Sequence, residues 1–269
     1  MPIYIHVIRH AQGLHNALNT KGGWQYKDPY LTSLGLQQCA DVQRDFPFKP
    51  QAIIASPMKR AIETSILCFS GFVAEGLPIA LLPTLQEAGN SPCNVGSPLS
   101  ELVEEFKKAI DPDMHNVAED WCKGKGIEDD GQLKERARLA RIAIRAKGLN
   151  LEGYAKDIHI CVTSHGDFIP YLVNDLNAGM FNNAEWRSYE FSDPTYQSNQ
   201  AQLKETEWSK TRRSSQPTLG AKLPPALISL QRRLYQDFVA RQKKATESGS
   251  LSEVLRIPTA PSFPFLLRP

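Results

Sequence analysis

The sequence predicts an α/β fold, a three-layer αβα sandwich built on a mostly parallel sheet. Short apolar runs typical of buried strands alternate along the chain with amphipathic stretches typical of helices. This alternation is characteristic of βαβ units, whose helices cover both faces of a parallel sheet. The predicted strands lie near residues 3–8, 52–56, 79–82 and 158–163, and the predicted helices near 32–45, 58–70, 99–110 and 132–148.

Composition limits the classes of protein that the chain can represent. Its 269 residues are 41% hydrophobic and 22% charged, enough to bury one substantial core. The net charge of +2 is too small to indicate a nucleic-acid partner, and no long basic run supports one. No uninterrupted apolar stretch reaches the roughly 20 residues that a membrane span needs. We therefore expect neither nucleic acid nor a membrane as a partner.

The cysteines and the N-terminus favour an intracellular protein. The five cysteines are widely and irregularly spaced, which predicts neither a zinc site nor a disulfide framework. The first predicted strand begins almost at the start of the chain and leaves no room for a secretory signal. We expect a cytoplasmic protein with reduced thiols, and a nuclear location stays open.

Candidate catalytic residues follow the first predicted strand. Arg9 and His10 stand where that strand ends, and Asn16 lies in the loop beyond it. A parallel α/β sheet binds ligands just beyond such strand ends. Neutral imidazole is a usable nucleophile near pH 7, and a planar, permanently charged guanidinium matches two phosphate oxygens at once. We interpret the pair as part of a site that transfers a phosphoryl group to histidine.

Two further strand ends add basic groups to this site. Ser56 is the predicted N-cap and Pro57 the predicted first residue of the second helix, so Arg60 falls in its first turn. The helix N-terminus and the guanidinium would both face an anion. The last predicted strand leads into a Ser-His-Gly-Asp run, which brings His165 to the same edge of the sheet.

Five sequence elements occur together in the chain order of a known family. The elements are Arg9-His10-x5-Asn16, Asp28-Pro29-x-Leu31-Thr32-x2-Gly35-x2-Gln38, Ser56-Pro57-x2-Arg60-Ala61-x-Glu63-Thr64, Leu85-Gln86-Glu87 and Ser164-His165-Gly166-Asp167. On these elements the chain resembles the phosphoglycerate mutase-like branch of the histidine phosphatase superfamily. The resemblance covers roughly residues 1–190 and says little about the rest of the chain.

The resemblance implies a role for each matching residue. His10 would be the nucleophile that takes the phosphoryl group, while Arg9, Arg60 and His165 would bind its oxygens and stabilise the transition state. The implied reaction is hydrolysis of a small-molecule phosphate ester, with no metal and no other cofactor. The remaining members of the implied phosphate-binding set are Asn16 and Gly166.

Glu87 is the preferred proton donor. It lies 27 residues after Arg60 (87 − 60), the spacing of the donor in the phosphoglycerate mutase-like branch. A carboxylic acid there can protonate the leaving oxygen and then, as a carboxylate, activate water. Asp167 is the competing donor, because acid-phosphatase relatives carry an aspartate just after the second histidine.

Three residues depart from the family pattern. Ala11 replaces the usual glycine, as in eukaryotic members, and excludes a backbone torsion that only glycine tolerates. Gln12 and His15 replace the acidic and aromatic residues of true mutases. These differences favour a phosphatase over phosphoglycerate mutase activity. A lyase or isomerase of specialised metabolism that binds another anionic substrate also stays open, because arginine binds carboxylate as readily as phosphate.

The other histidines carry weaker signals. His6 and His159 alternate within predicted strands and are interpreted as structural side chains. His15 could line the pocket or lie in a solvated loop, and His115 has no supporting context. Thr32 is the candidate N-cap of the first predicted helix.

The predicted catalytic domain spans residues 1–191 and carries an insertion at about 88–130. We expect this insertion to form a small lid over the site, because loops above strand ends commonly select substrates. Within it, Glu128 to Asp130 is interpreted as a solvated face. The rest of the chain is predicted to be a C-terminal extension packed on the same domain. It comprises an extended connection at 192–225, a helix at 226–245 and a segment at 258–269 that packs on the surface or joins a homodimer contact.

Overall fold

The structure is built on a six-stranded sheet. A computed structural model describes residues 1–18, 22–111, 117–123, 126–153 and 155–215. Its strands are β1 (Ile3–Arg9), β2 (Ala52–Ala55), β3 (Ile79–Leu81), β4 (Ile158–Ser164), β5 (Trp186–Phe191) and β6 (Leu203–Glu205). Their order is β3-β2-β4-β1-β5-β6. The pairs among β1 to β4 are parallel, whereas β5 and β6 add antiparallel pairs at one side.

The register of the parallel strands aligns their carboxyl ends. Arg9 of β1 lies opposite Ser164 of β4, and Ala55 of β2 lies opposite Thr163 of β4. Because these three strands end at nearly the same level, the loops that follow them open side by side at one edge of the sheet. This is the edge at which the sequence predicts the candidate site.

Helices cover both faces of the sheet and give the molecule three layers. They are α1 (Leu14–Ala17), α2 (Ser33–Asp45), α3 (Lys59–Cys68), α4 (Ser70–Ala74), α5 (Leu99–Phe106), α6 (Asp130–Leu149), α7 (Ile169–Leu172) and α8 (Glu207–Ser215). One core cluster includes residues of α6 and α7, and the other includes residues of α2, α3 and α5. Neighbouring residues of β2, Ile53 and Ile54, belong to opposite clusters. This burial on both faces explains why the parallel strands read as continuous apolar runs.

The predicted α/β sandwich is confirmed. Each of the four predicted strands and four predicted helices is present, with ends that differ from the prediction by a few residues. Thr32 is the N-cap of α2, and its hydroxyl oxygen accepts a hydrogen bond from the Gly35 amide at 3.1 Å. The hydrophobic periodicity was therefore sufficient to place the main elements.

The start of α3 differs from the prediction. The helix begins at Lys59 and has no local side-chain cap, so the predicted Ser56 cap with Pro57 at the first helical position is wrong. The first turn is stabilised instead from a distant loop, because Asp28 Oδ1 accepts a hydrogen bond from the Lys59 amide at 3.0 Å. Arg60 remains in the first turn, as predicted.

The sheet continues past residue 191, where the sequence predicted an extended connection over 192–225. Strand β6 pairs with β5, and α8 follows it directly. Trp208 of α8 stacks on Trp186 of β5 with ring centroids 5.8 Å apart. The prediction is therefore wrong for the described part of this segment. A three-residue strand and a polar helix show no hydrophobic periodicity, so the sequence pattern could not reveal them.

The described part of the insertion at 88–130 is held in place by hydrogen bonds and by an ion pair. It holds a 3₁₀ turn at Pro92–Asn94 followed by α5. Glu128 Oε1 lies 2.6 Å from Arg136 Nε, and only 20% of the Glu128 side chain is exposed. Asp129 caps α6 by accepting a hydrogen bond from the Gln132 amide at 2.8 Å. The interpretation of Glu128 to Asp130 as a solvated face is therefore wrong for Glu128.

Several predictions concern residues outside the described ranges. They are the context of His115, the helix at 226–245 and the segment at 258–269 with its homodimer contact. Among the helices that the structure describes, none is long and apolar enough to cross a bilayer.

Candidate active site

Two histidines and two arginines meet at the carboxyl edge of the sheet. Arg9 ends β1 and His10 follows it, His165 directly follows β4, and Arg60 is the second residue of α3. The His10 and His165 ring centroids are 5.1 Å apart, and Arg60 Nε donates a hydrogen bond of 3.3 Å to His10 Nε2. The structure thus brings together the four basic side chains that the sequence predicted for one site.

The His10 imidazole is buried and held in one tautomer. Its Nδ1 lies 2.7 Å from the carbonyl oxygen of Ala11. A carbonyl can only accept, so Nδ1 carries the proton and the lone pair lies on Nε2. Burial lowers the pKa of His10 well below its ordinary value, and the nearby charges of Arg60 and Arg9 lower it further. The ring is therefore neutral at physiological pH.

Arg60 is completely buried beside His10. Its Nη1 donates a hydrogen bond of 2.7 Å to the Cys93 carbonyl, and its Nη2 donates to Asn94 Oδ1 at 3.4 Å. Both acceptors belong to the 3₁₀ turn of the insertion. The insertion therefore contacts the site directly and helps to hold this guanidinium in place.

Arg9 is fixed by a loop carbonyl and by the close approach of a glycine. Its Nη1 donates a hydrogen bond of 2.6 Å to the Phe181 carbonyl. A Cβ atom built on Gly166 would lie 3.1 Å from Arg9 Cζ, so the guanidinium packs against the Gly166 backbone. Its Nε is buried and has no hydrogen-bond partner among the described residues. One N–H of this cation is thus available to a bound anion.

His165 is oriented by Ser56, which the sequence had assigned to a helix cap. His165 Nε2 and Ser56 Oγ share a hydrogen bond of 2.8 Å, and both residues are fully buried. The serine reaches this position because β2, which precedes it, pairs directly with β4. Ser56 is therefore a member of the site that the sequence reasoning missed.

Asn16 of α1 is oriented by two hydrogen bonds that its side-chain oxygen accepts. Its Oδ1 accepts hydrogen bonds from the Gly13 amide at 3.1 Å and from Asn183 Nδ2 at 3.2 Å. Because the Gly13 amide can only donate, this oxygen assignment is fixed and the side-chain nitrogen is the remaining donor. The arrangement agrees with the neutral donor expected at this position. No sequence signal pointed to Asn183.

Glu87 is a buried carboxyl group held by backbone amides. Its Oε1 accepts hydrogen bonds from Ala88 N at 2.9 Å and from Phe168 N at 3.1 Å, and its Oε2 lies 3.4 Å from Asp167 N. Burial raises the pKa of Glu87 above its ordinary value, and the negative charge of Asp167 raises it further. Asp167 itself is exposed. Of the two candidate donors, Glu87 is the one held inside the site.

His15 lies beside His10. The two ring centroids are 5.4 Å apart, and His15 Nδ1 is buried without a hydrogen-bond partner among the described residues. Burial lowers the pKa of His15 to about 2, with Arg60 and Arg9 contributing. His15 thus packs against the candidate nucleophile rather than lying in a solvated loop, and its role in binding stays a prediction.

His6 and His159 form a separate pair away from these groups. His6 Nε2 lies 3.0 Å from His159 Nδ1, and His6 Nδ1 lies 2.8 Å from Ser188 Oγ. Burial lowers the pKa of His6 to about 3. Their interpretation as satisfied structural side chains is confirmed.

A match to a known protein family decides the identity of the fold. The sequence profile of the histidine phosphatase superfamily, branch 1, matches residues 5–218. The chain belongs to the histidine phosphatase superfamily. The match extends past residue 190, where the resemblance stated from the sequence ends, and includes β6 and α8.

Among curated relatives of this histidine phosphatase superfamily member, two illustrate the range of similarity. A probable phosphatase of Schizosaccharomyces pombe is 32% identical over 106 residues, which is 38% of this chain and 49% of the yeast protein. A phosphoglycerate mutase-like protein of Arabidopsis thaliana is 36% identical over 77 residues, which is 25% of this chain and 28% of the plant protein. The chain thus spans about half or less of the length of these relatives.

Solved structures support the fold of the superfamily. A mycobacterial glucosyl-3-phosphoglycerate phosphatase superimposes with a TM-score of 0.52 at 18% identity, covering 78% of this chain and 99% of the other. The ecdysone phosphate phosphatase of Bombyx mori, solved with tungstate, gives a TM-score of 0.54 at 17% identity, covering 69% of this chain and 88% of the other. At these identities the similarity shows the fold alone.

Within the described residues, no group of three or more histidine, cysteine, aspartate or glutamate side chains is arranged to hold a metal ion. The cationic groups around His10 are suited to an anion instead.

Proposed function

We propose that the chain is a phosphatase that hydrolyses a small-molecule phosphate ester through a phosphohistidine intermediate on His10. The observation that carries this proposal is the 2.7 Å hydrogen bond from His10 Nδ1 to the Ala11 carbonyl. It leaves Nε2 unprotonated, and the Nε2 lone pair accepts a hydrogen bond of 3.3 Å from Arg60 Nε, which the phosphoryl group replaces when the substrate binds. An oriented neutral imidazole beside a preorganised cation is the arrangement that attack on phosphorus requires.

In the first step, His10 Nε2 forms a bond to phosphorus while the bond from phosphorus to the ester oxygen breaks. The protonated carboxyl group of Glu87 gives its proton to that oxygen, and the alcohol leaves. In the second step, water attacks the phosphohistidine and Glu87 takes a proton from it. The bond from nitrogen to phosphorus breaks, its electron pair returns to Nε2, and inorganic phosphate departs.

The remaining basic groups bind the phosphoryl oxygens. Arg9 and Arg60 supply guanidinium N–H groups, and His165 and Asn16 supply further donors at the same edge of the sheet. Gly166, whose backbone packs against the Arg9 guanidinium, is the remaining member of the proposed binding set. The guanidinium groups of Arg9 and Arg60 are held by carbonyl acceptors before the reaction, so little reorganisation beyond release of the Arg60 Nε hydrogen bond is needed as negative charge spreads over the transition state.

Glu87 is assigned as the proton donor in preference to Asp167. Its burial favours the protonated form that the first step consumes, and Asp167 strengthens that preference through charge repulsion. A donor with a raised pKa is suited to catalysis near neutral pH.

Comparisons with known proteins support the reaction class. The yeast relative is named a probable phosphatase, and solved proteins of this fold include phosphatases of glucosyl-3-phosphoglycerate and of ecdysone phosphate. By analogy we assign this chain a small organic phosphate as substrate. We also propose that its reaction needs no metal ion and that it works in the cytoplasm, where its five free, buried cysteines stay reduced.

Trapping the intermediate tests the proposal. Brief incubation with ³²P-labelled p-nitrophenyl phosphate should label the wild-type protein with acid-labile, base-stable phosphate and leave His10→Ala unlabelled and inactive. His159→Gln, which alters a histidine outside the site, is the matched control and should be labelled normally. Turnover of His10→Ala at the wild-type rate would contradict the assignment. Loss of wild-type activity in EDTA, restored by a divalent metal, would contradict metal independence.

A further inference from the structure

Arg136 of α6 contacts both chain segments that hold Glu87. Its Nη1 donates hydrogen bonds to the carbonyl oxygens of Gln86, at 2.6 Å, and Thr84, at 3.0 Å. Its guanidinium carbon lies 3.9 Å from the ring centroid of Phe168. Gln86 directly precedes Glu87, and the Phe168 amide donates to Glu87 Oε1 at 3.1 Å. One side chain therefore joins the segment that carries the carboxyl group to the segment that binds it.

Arg136 is itself held rigidly. Its Nε and Nη2 donate to the two carboxylate oxygens of Glu128 at 2.6 and 2.8 Å, which is a bidentate ion pair. The side chains of this pair are only 15% and 20% exposed. The guanidinium thus has a fixed plane, with one edge on a carboxylate, one nitrogen on two carbonyls and one face on an aromatic ring.

We propose that Arg136 is a positioning residue for Glu87, fixing the carboxyl group at the distance and angle that proton transfer to the leaving oxygen requires. This inference rests on the proposed role of Glu87 as the proton donor. Among the residues that the structure describes, Arg136 forms no hydrogen bond or ion pair with His10, Arg9 or Arg60, so it acts on the proton-transfer step and leaves the phosphate-binding cations in place. A displacement of about 1 Å at a catalytic group can reduce the rate by a factor of about 100.

The geometry demands an arginine at this position. A lysine keeps the charge but has neither the planar face for Phe168 nor the divergent N–H groups that reach two carbonyls and a carboxylate together. Arg136→Lys should therefore retain only part of the activity that Arg136→Gln loses.

Leaving-group dependence tests the proposal. The value of kcat/KM reports the steps up to departure of the alcohol, so it is measured for p-nitrophenyl phosphate, whose leaving group needs little protonation, and for glycerol 2-phosphate, whose leaving group needs much. Arg136→Gln should lower kcat/KM for the alkyl ester by about tenfold or more while changing that for the aryl ester by less than about threefold. Arg138→Gln, which removes an ion pair with Glu135 on the same helix, is the matched control and should change neither.

A double substitution separates positioning from general structural damage. Adding Arg136→Gln to Glu87→Gln should cause no further loss on the alkyl ester, because the group that Arg136 positions is already unable to donate. Equal losses on both esters, or losses that add to those of Glu87→Gln, would overturn the inference. The proposed function fails separately in its assignment of Glu87 as the proton donor, if Glu87→Gln itself reduces kcat/KM for both esters equally. If Glu87→Gln lowers kcat/KM selectively for the alkyl ester and Arg136→Gln does not, only the role of Arg136 is refuted.

Discussion

The Nδ1 atom of His10 lies 2.7 Å from the carbonyl oxygen of Ala11, the next residue in the chain. A carbonyl acceptor supplied by the adjacent residue cannot be removed by a side-chain substitution, so the tautomer of this candidate nucleophile is determined by the backbone itself. Alanine can replace the usual glycine at this position because the backbone of Ala11 does not have the positive φ that favours glycine.

The first prediction concerns this tautomer. In ¹⁵N-labelled protein, the imidazole of His10 should carry its proton on Nδ1 and remain neutral as the pH falls from 8 through the ordinary histidine pKa of about 6.5. Its pKa is lowered by burial and by the charges of Arg60, His15 and Arg9. Two-bond proton–nitrogen correlation spectra report both properties. A titration with a midpoint near 6.5, or a proton on Nε2, would contradict the assignment of a ready nucleophile.

The second prediction separates Glu87 from Asp167. Because the Asp167 charge raises the pKa of Glu87, Asp167→Asn should lower that pKa. The donor then loses its proton at a lower pH. The fall of kcat/KM on the alkaline side of the pH profile, measured with an alkyl phosphate, should therefore shift to lower pH, and activity should be retained at pH values below that fall. Glu87→Gln should abolish this limb.

The pH profile of kcat/KM for the three proteins is the measurement. If Asp167→Asn abolished the limb and Glu87→Gln only moved it, Asp167 would be the donor.

The third prediction concerns the glycine beside Arg9. In Gly166→Ala, the new Cβ would lie 3.1 Å from both Cζ and Nε of Arg9, so the guanidinium must shift. The expected cost is roughly 1 kcal/mol, or about fivefold weaker competitive inhibition by inorganic phosphate. Gly71→Ala is the matched control, since nothing lies within 4 Å of its new Cβ. An unchanged inhibition constant for phosphate in Gly166→Ala would remove Arg9 from the phosphate site.

The fourth prediction concerns the serine that orients His165. Ser56→Ala removes the 2.8 Å hydrogen bond to His165 Nε2, at an expected cost of about 1 kcal/mol, or about fivefold in kcat/KM for p-nitrophenyl phosphate. Ser65→Ala removes an equally buried bond, the 2.7 Å contact with Thr163 Oγ1, and should lower thermal stability without lowering kcat/KM. Equal effects of the two substitutions on kcat/KM would mean that Ser56 stabilises the fold only.

The sequence predicted the strand ends and their cations because both follow from local patterns. An apolar run ends in Arg9 and His10, and another ends just before His165, so their proximity required only a parallel sheet. Contacts from distant segments left no local pattern. Examples are the Asp28 carboxylate that caps α3 and the Cys93 carbonyl that holds Arg60.

The C-terminal edge of the sheet was missed for a related reason. Trp186 and Trp208 stabilise it by stacking across 22 residues of chain (208 − 186), and neither helix nor strand periodicity records such a contact. Arg136 was overlooked because a charged residue on an amphipathic helix is most often solvated. Its pairing with Glu128 depends on how the insertion folds back.

Strand β1 is hydrogen-bonded on both sides, to β4 and to β5, and this placement has a consequence for motion. Amide protons of a doubly paired inner strand exchange with solvent only when most of the molecule unfolds, whereas loops and short turns exchange through small local openings. The imidazole that follows this strand is therefore attached to one of the inner strands expected to exchange slowly. Any local opening that admits a reactant or releases a product must therefore occur in the surrounding loops.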